Sequence, residues 1–498
     1  MVTQVTPGLQ QVQQELRAAG EPLQEQIDAL VQRFLLQPTT PQGALEFETA
    51  LRELLREVGR VTLEVVFNHL EADDPQQMPK QVEHEGHDYS RKNEKTRHRQ
   101  GIGTLFGSIE LWRYSYEPLR EGREQGCRSI SPLEMSLGIV AGNATPALAE
   151  RVGRAASGQT QQELRELLRR EHHIHWSVEV LRNVTAAVSQ GIGEHLHAAQ
   201  KARLLSWLKQ ADASRGRHKI TLAAGRDGIM LPIRGEPTYK EGAVATVSVY
   251  DRRGRRLGTV YLGQMPEAHQ ATLSEQLTRL LQEVLAEWEG HWPRLAYITD
   301  AGHHPTEYYD NVLVSLPHPR RPGHPMDWIR VVDYYHACEY IAKLADVLLD
   351  DARARHAWQR RMRQVLKREA NAVFRILHSA ARLHRDRFLG EKAEAAYQRA
   401  YGYLLRQQKY LAYSEYRRLG LPIGSGVTEA ACKTVFTQRF KESGMSWSLD
   451  GGHTILTLRL AQLSGVWASV YDNYLSHRAA PILATHPSNS RPPCIKAA

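Results

Sequence analysis

From about Arg217 the hydrophobic period of the chain changes from that of helices to that of strands. Four apolar stretches follow: KITLAAGRDGIMLPI, GAVATVSVYDRRGRRLGTVYLGQM, RLAYITD and WIRVVD. The second is broken by turn chemistry at Asp251–Gly254, so it reads as two strands. A helical pattern over Ala271–Trp288 precedes RLAYITD. A short helical stretch (Pro305–Val314) and a Pro-rich loop (Pro317–Pro325) precede WIRVVD, which runs into the helical YYHACEYIAKLADVL. Three strands in a meander followed by alternating strand and helix predict a mixed α/β sheet with helices on its faces.

The chain has 498 residues, enough for roughly three domains. With 42% hydrophobic and 24% charged residues it is globular in composition, which excludes a disordered or collagen-like chain. The periodicities divide it into a helical N-terminal region (1–75), which reads as a packing or self-association module, a small β element (76–130) and a helical region (131–212). The sheet domain is predicted over 213–345 and 420–475, interrupted by an all-α segment at 346–419. A Pro- and Ser-rich tail (476–498) reads as disordered.

The net charge of +9 is unevenly placed. Residues 351–420 carry 17 Lys and Arg against 6 Asp and Glu, so this helical segment holds more than the whole excess and the remainder is slightly acidic. That pattern predicts a local polyanion-facing surface, with Arg360, Arg361, Arg363 and Lys367 as phosphate contacts. Cys127, Cys338, Cys432 and Cys494 are scattered without C-x-x-C spacing, which fits a reducing compartment and gives no cysteine metal site. No signal segment and no run of eighteen apolar residues occurs, so a soluble cytoplasmic protein without a membrane partner is expected.

Helices predicted over Gln161–Glu171 and Ser177–Gln190, joined by the short turn His172–Trp176, read as a helix-turn-helix. Its second helix would offer Glu179, Arg182 and Asn183 to a DNA groove, against the alternative of an ordinary helix pair. The His172, His173 and His175 cluster does not converge as metal ligands do. His84, His87 and Cys127 are too few and too poorly spaced for a closed zinc site.

Three carboxylates sit where acids are costly. Asp227 lies inside an apolar strand, Asp300 ends the strand LAYITD, and Glu429 is in the first turn of the helix after GSG. Together they suit two Mg²⁺ or Mn²⁺ ions, which are hard cations selecting oxygen ligands and can act on both oxygens of a phosphodiester displacement. Asp333 also ends an apolar strand. If the Asp300 strand lies between those of Asp227 and Asp333, Asp333 is roughly 9–10 Å from Asp227, too far to share an ion, so Asp333 and His336 take a flanking role. Lys433, one turn after Glu429, is a phosphate contact or a solvated lysine. Cys338 and Cys432 read as small core residues.

GRDGIMLPIRG, YITDAG, VVDYYHACEYI and above all LPIGSGVTEAACKTVFTQRFKESGMSW resemble a bacterial insertion-sequence transposase with a DDE active site, similar to the ISKra type and more distantly to the Mutator superfamily. The resemblance spans about residues 217–470. It implies a ribonuclease-H-like catalytic fold with an all-α insertion, Asp227, Asp300 and Glu429 as the acidic triad, and Asp333 with His336 as the D-x-x-H signature after the next strand. It further implies binding to the terminal inverted repeats, metal-dependent cleavage and strand transfer into target DNA, a dimer or higher oligomer, and a cytoplasmic, nucleoid-associated location. A structure-selective nuclease such as a junction resolvase and a domesticated, non-catalytic DNA-binding protein are the alternatives. Relatives of this kind often carry cysteine pairs ahead of TLFGSIELWRYSY, which this chain lacks.

Overall fold

The computed structural model describes residues 9–478 and 483–484, which belong to two compact units: Met1–Gly191 with Tyr471–Ala498, and Ile192–Val470. No helix among the described residues is long and apolar enough to cross a membrane.

In the first unit the predicted N-terminal helical region is a pair of 28-residue helices, Leu9–Leu36 and Pro41–Asn68. Thr40 caps the second by accepting from the Gly43 N–H at 3.0 Å, and Phe34 stacks on Phe47 across the turn. Leu30 is the only buried residue in the pair, while Leu35, Leu36, Leu45 and Leu55 stay exposed. The small β element is present as short strands. Gln81–His84, His87–Arg91 and Tyr116–Pro118 form an antiparallel ladder over Met78, Val82, Tyr89 and Tyr114. His84 pairs with His87 across the turn, and these two and Cys127 form no three-ligand cluster.

After the helix Pro146–Ala156, the helix Gln161–His172 matches the expected span and is opened by a Thr160–Glu163 capping box. The third helix does not stop at Gln190. It runs from Val178 to Asp212, 35 residues, because Gly191 is a packing glycine rather than a terminator: a Cβ there would collide with the Tyr474 ring. Of the tail expected over 476–498, Ser476–Arg478 finish the helix Trp467–Arg478. Leu483 and Ala484 pair with Glu83 and Val82 instead of being irregular, and residues 479–482 and 485–498 lie outside the described residues.

The second unit carries the sheet. Its strands are β1 (Thr221–Leu231), β2 (Lys240–Tyr250), β3 (Arg256–Gln264), β4 (Arg294–Thr299) and β5 (Trp328–Val332), in spatial order β3-β2-β1-β4-β5. The first three are antiparallel neighbours, and β1, β4 and β5 run parallel. The helices are α1 (Ala271–Glu287), α2 (His303–Asn311), α3 (Tyr334–Leu348), α4 (Ala352–Arg368), α5 (Ala372–Arg385), α6 (Glu391–Arg406), α7 (Tyr413–Leu419), α8 (Gly426–Ala431) and α9 (Leu449–Leu463).

Each face of the sheet has its own core. One is built from Leu222, Ala224, Val247 and Val260 with Leu273, Leu277 and Leu281 of α1. The other joins Ala223, Ile298 and Val331 to Ile341, Leu366, Ile376 and Leu404 of helices α3 to α6. Each such buried Leu, Ile or Val side chain contributes about 1.5–3 kcal/mol. The helical segment between Asp333 and Ser425 therefore covers one sheet face; it packs as a layer of the fold.

Candidate active site

Parallel register fixes where the strand-end acids fall. Tyr297 of β4 pairs with Ala224 of β1, and Thr299 of β4 pairs with Val332 of β5. Continuing both ladders puts Asp300 level with Asp227 on one side and with Asp333 on the other, one strand spacing (about 4.8 Å) each way. Since β4 lies between β1 and β5, Asp333 is two spacings from Asp227, as the spacing argument requires.

Glu429 reaches this end of the sheet on α8. The helix lies close because Gly225, on the Asp227 face of β1, leaves room: a Cβ would strike Thr428 Oγ1 and the Ile298 carbonyl. Thr246 and Thr428 hydrogen-bond at 2.8 Å across the contact, fixing the first turn of α8 against β2. Glu429 is exposed, while Asp227 and Asp300 are half-buried.

Among the described residues none of the three forms an ion pair. Burial raises the Asp227 carboxyl to about 6, opposed by hydrogen bonds from the Cys432 thiol and the Gly228 N–H and reinforced by the negative charges of Asp300 and Glu429. The Gly228 N–H donates to Asp227 Oδ1 at 2.8 Å, and Cys432 Sγ donates to Oδ2 at 3.2 Å. Burial and these same three acids push the Cys432 thiol far above its ordinary range, so it stays a neutral donor. Asp300 Oδ1 accepts from the Gly302 N–H at 2.8 Å, and its backbone carbonyl accepts from Tyr403 Oη at 3.3 Å.

Asp333 is fully buried and both its oxygens are occupied. Oδ1 accepts from the His336 N–H at 2.6 Å, capping α3, and Oδ2 accepts from the Ser425 N–H. Ser425 Oγ in turn donates to Glu429 Oε1 at 2.6 Å. Asp333 is therefore linked to Glu429 through Ser425. The His336 ring packs edge-on against Tyr340 and Tyr403, and Nδ1 lies 3.5 Å from Glu339.

Asp227, Asp300 and Glu429 thus gather at one end of the sheet, with Asp333 and His336 behind them. Arg360, Arg361 and Arg363 are exposed on α4, and Lys367 lies over the Tyr334 ring at 5.3 Å. Lys433 is exposed. In the other unit Arg182 and Asn183 are exposed near the start of their helix, Arg182 bonding Gln161 at 3.4 Å.

Sequence reasoning missed Cys432, Ser425 and Gly225. Cys432 reads as a core residue, which its burial fits, but it opens a π-helical turn (Cys432–Thr437) that aims it at Asp227. Also missed was a cluster just after Asp300: His303, His304 and Glu307 bring ligand atoms within 4.8 Å of one another, with Glu241 of β2 3.7 Å from His304 Nε2. Among the described residues this is the one set of three so tightly grouped; the three acids are spread more widely. No family model and no curated protein matches the chain.

Proposed function

We propose that the chain is a DNA transposase of the insertion-sequence type whose catalytic unit has a ribonuclease-H-like fold. The observation that carries this reading is the set of three carboxylates from three separate elements, Asp227, Asp300 and Glu429, gathered without a neutralising side chain. Leaving like charges together disfavours the free protein unless a cation joins them. The strand order, with three antiparallel strands followed by two parallel ones, and the all-α segment before Glu429 support the fold assignment.

The donor set consists of carboxylate oxygens, which fits Mg²⁺ or Mn²⁺ rather than a thiophilic ion, since Cys432 keeps its proton. The spread of the three acids suits a pair of ions, in which the outer carboxylates need not meet on one. When bound, such ions would supply Lewis-acid activation of the attacking oxygen and stabilisation of the leaving oxygen in phosphodiester cleavage and strand transfer. The chain's own residues orient the ligands. Gly228 and Cys432 hold the two oxygens of Asp227, Gly302 holds Asp300, and Ser425, itself fixed by Asp333, holds Glu429.

DNA enters as substrate and partner. Arg360, Arg361, Arg363, Lys367 and Lys433 are assigned to backbone phosphates, and Arg182 and Asn183 to the terminal repeats, with two or more copies of the chain joining the two ends.

Asp227→Asn, Asp300→Asn and Glu429→Gln should each lower cleavage of the element's end DNA by at least about 10³-fold while end binding persists. Undiminished cleavage by any one of them removes that residue from the site. Cleavage without joining of a pre-cut 3′-OH end to target DNA would make the protein a nuclease instead, and DNA binding with no cleavage by the wild type would make it a non-catalytic binder.

A further inference from the structure

Beside the acids, on the side of α3 and α6, lies a cleft of about 680 Å³. Its lining brings together Lys343 of α3 and Arg399 and Arg406 of α6, with Gln398 and the rings of Tyr340 and Tyr403. No acid lines it, and among the described residues none of the three cations is in an ion pair, whereas Arg375 and Arg387 of neighbouring segments each have a carboxylate partner. The floor is rigid. Tyr340 and Tyr403 stack at 3.7 Å with their planes 6° apart, and Lys343 Nζ sits 4.2 Å over the outer face of Tyr340. The same Tyr403 donates its hydroxyl to the Asp300 carbonyl, so the cleft floor is tied directly to the acidic cluster.

Like charges converging in a concave, half-enclosed site repel one another and focus a positive potential, which favours an anion there. Tyr340 is covered by Tyr403 and by Lys343, and Tyr403 is itself buried, so neither ring offers an open face for stacking a base. What remains is charge and hydrogen bonding: guanidinium forks, an ammonium and an amide, donors that match the acceptor oxygens of a phosphodiester.

We propose that this cleft is a phosphate subsite, in which Lys343, Arg399 and Arg406 hold one backbone phosphate of the DNA next to the reacting strand and so set the strand's position over Asp300. The proposal rests on the reading of the chain as a DNA-processing enzyme. The cleft is distinct from the exposed arginines of α4 in being a pocket with a tyrosine floor rather than a charged face.

The experiment measures binding of the full chain to a random-sequence 30-base-pair duplex in EDTA, so that no result depends on metal or on cleavage. The wild type is compared with Arg399→Gln/Arg406→Gln and, as a single change on an exposed lysine should the double variant fold poorly, Lys343→Gln. Losing one phosphate contact should flatten the slope of log affinity against log salt by about 1 and weaken binding by about ten-fold. Unchanged affinity and slope in folded variants would overturn the subsite, while the variants of Asp227, Asp300 and Glu429 would still test the transposase reading separately. Inorganic phosphate, added at constant ionic strength, should leave wild-type binding within about two-fold. Phosphate binding by the wild type that the variants lose, with their duplex affinity and salt slope unchanged, would make the cleft a free-phosphate site and end the assignment to DNA.

Discussion

Asp300 and Asp333 occupy equivalent places, each just past the end of a parallel strand and level with the other, yet the protein uses them in opposite ways. Asp333 is sealed from water with both oxygens spent on backbone N–H groups of two different segments. Asp300 spends only Oδ1, on the Gly302 N–H, and like Asp227 beside it forms no ion pair among the described residues. The difference arises in the connection that leaves each strand. After Asp333 the chain turns at once into α3, whose free N–H groups claim the carboxylate; after Asp300 two residues intervene before α2 begins. An acid satisfied by backbone is structural, and an acid left facing other acids is available for chemistry.

The sharpest way to break this comparison is Asp333→Ala. It removes a helix cap and leaves the buried Ser425 N–H without its acceptor, so unfolding free energy should fall by about 3 kcal/mol in a denaturant titration. Metal-dependent activity should fall as well, because Ser425 then no longer fixes Glu429. A stability loss under about 1 kcal/mol would mean that Asp333 is not the structural member of the pair.

Asp227→Asn should move stability the other way. The folded carboxyl titrates near 6, above its unfolded value, so its protonated form favours folding; that contribution is complete below about pH 4 and is lost as pH rises through 6. In metal-free buffer the wild type should therefore lose roughly 2–3 kcal/mol between those limits relative to the Asn variant, read as converging denaturation midpoints at acid pH and diverging ones at pH 7–8. Parallel pH profiles would contradict a strained Asp227.

The smallest effect is expected at Cys432. Cys432→Ala removes one donor from Asp227 and should shift its ionisation upward by less than about one pH unit, seen as metal affinity that needs a higher pH to develop. Cys432→Ser, which keeps a donor, should restore the wild-type profile.

Much of the sheet and its acids was legible in the sequence for a physical reason. Apolar strand runs that end in Asp announce both, and the intervening strand placed Asp300 rather than Asp333 beside Asp227. What stayed hidden are contacts between distant residues: Cys432 meets Asp227 across 205 positions, and Ser425 meets Asp333 across 92. A π turn leaves no hydrophobic period to read, and Gly225 looks like any strand glycine until the helix lying on it is known. The extension of the helix past Gln190 was missed because a glycine that admits an aromatic ring looks the same as one that ends a helix.

The chain leaves the sheet at Asp333 and returns at Ser425, and these two points are clasped together: Tyr334 N–H to the Ile423 carbonyl at 2.9 Å, and Ser425 N–H to Asp333. The basic layer is thus closed where it leaves and rejoins the sheet, and Tyr403, Tyr413 and Tyr416 tie it again along the way, to the carbonyls of Asp300, Val332 and Arg330. Ser425 belongs to that clasp and its hydroxyl donates to Glu429, so the knot that closes the layer's two ends also sets how one acid of the cluster is aimed.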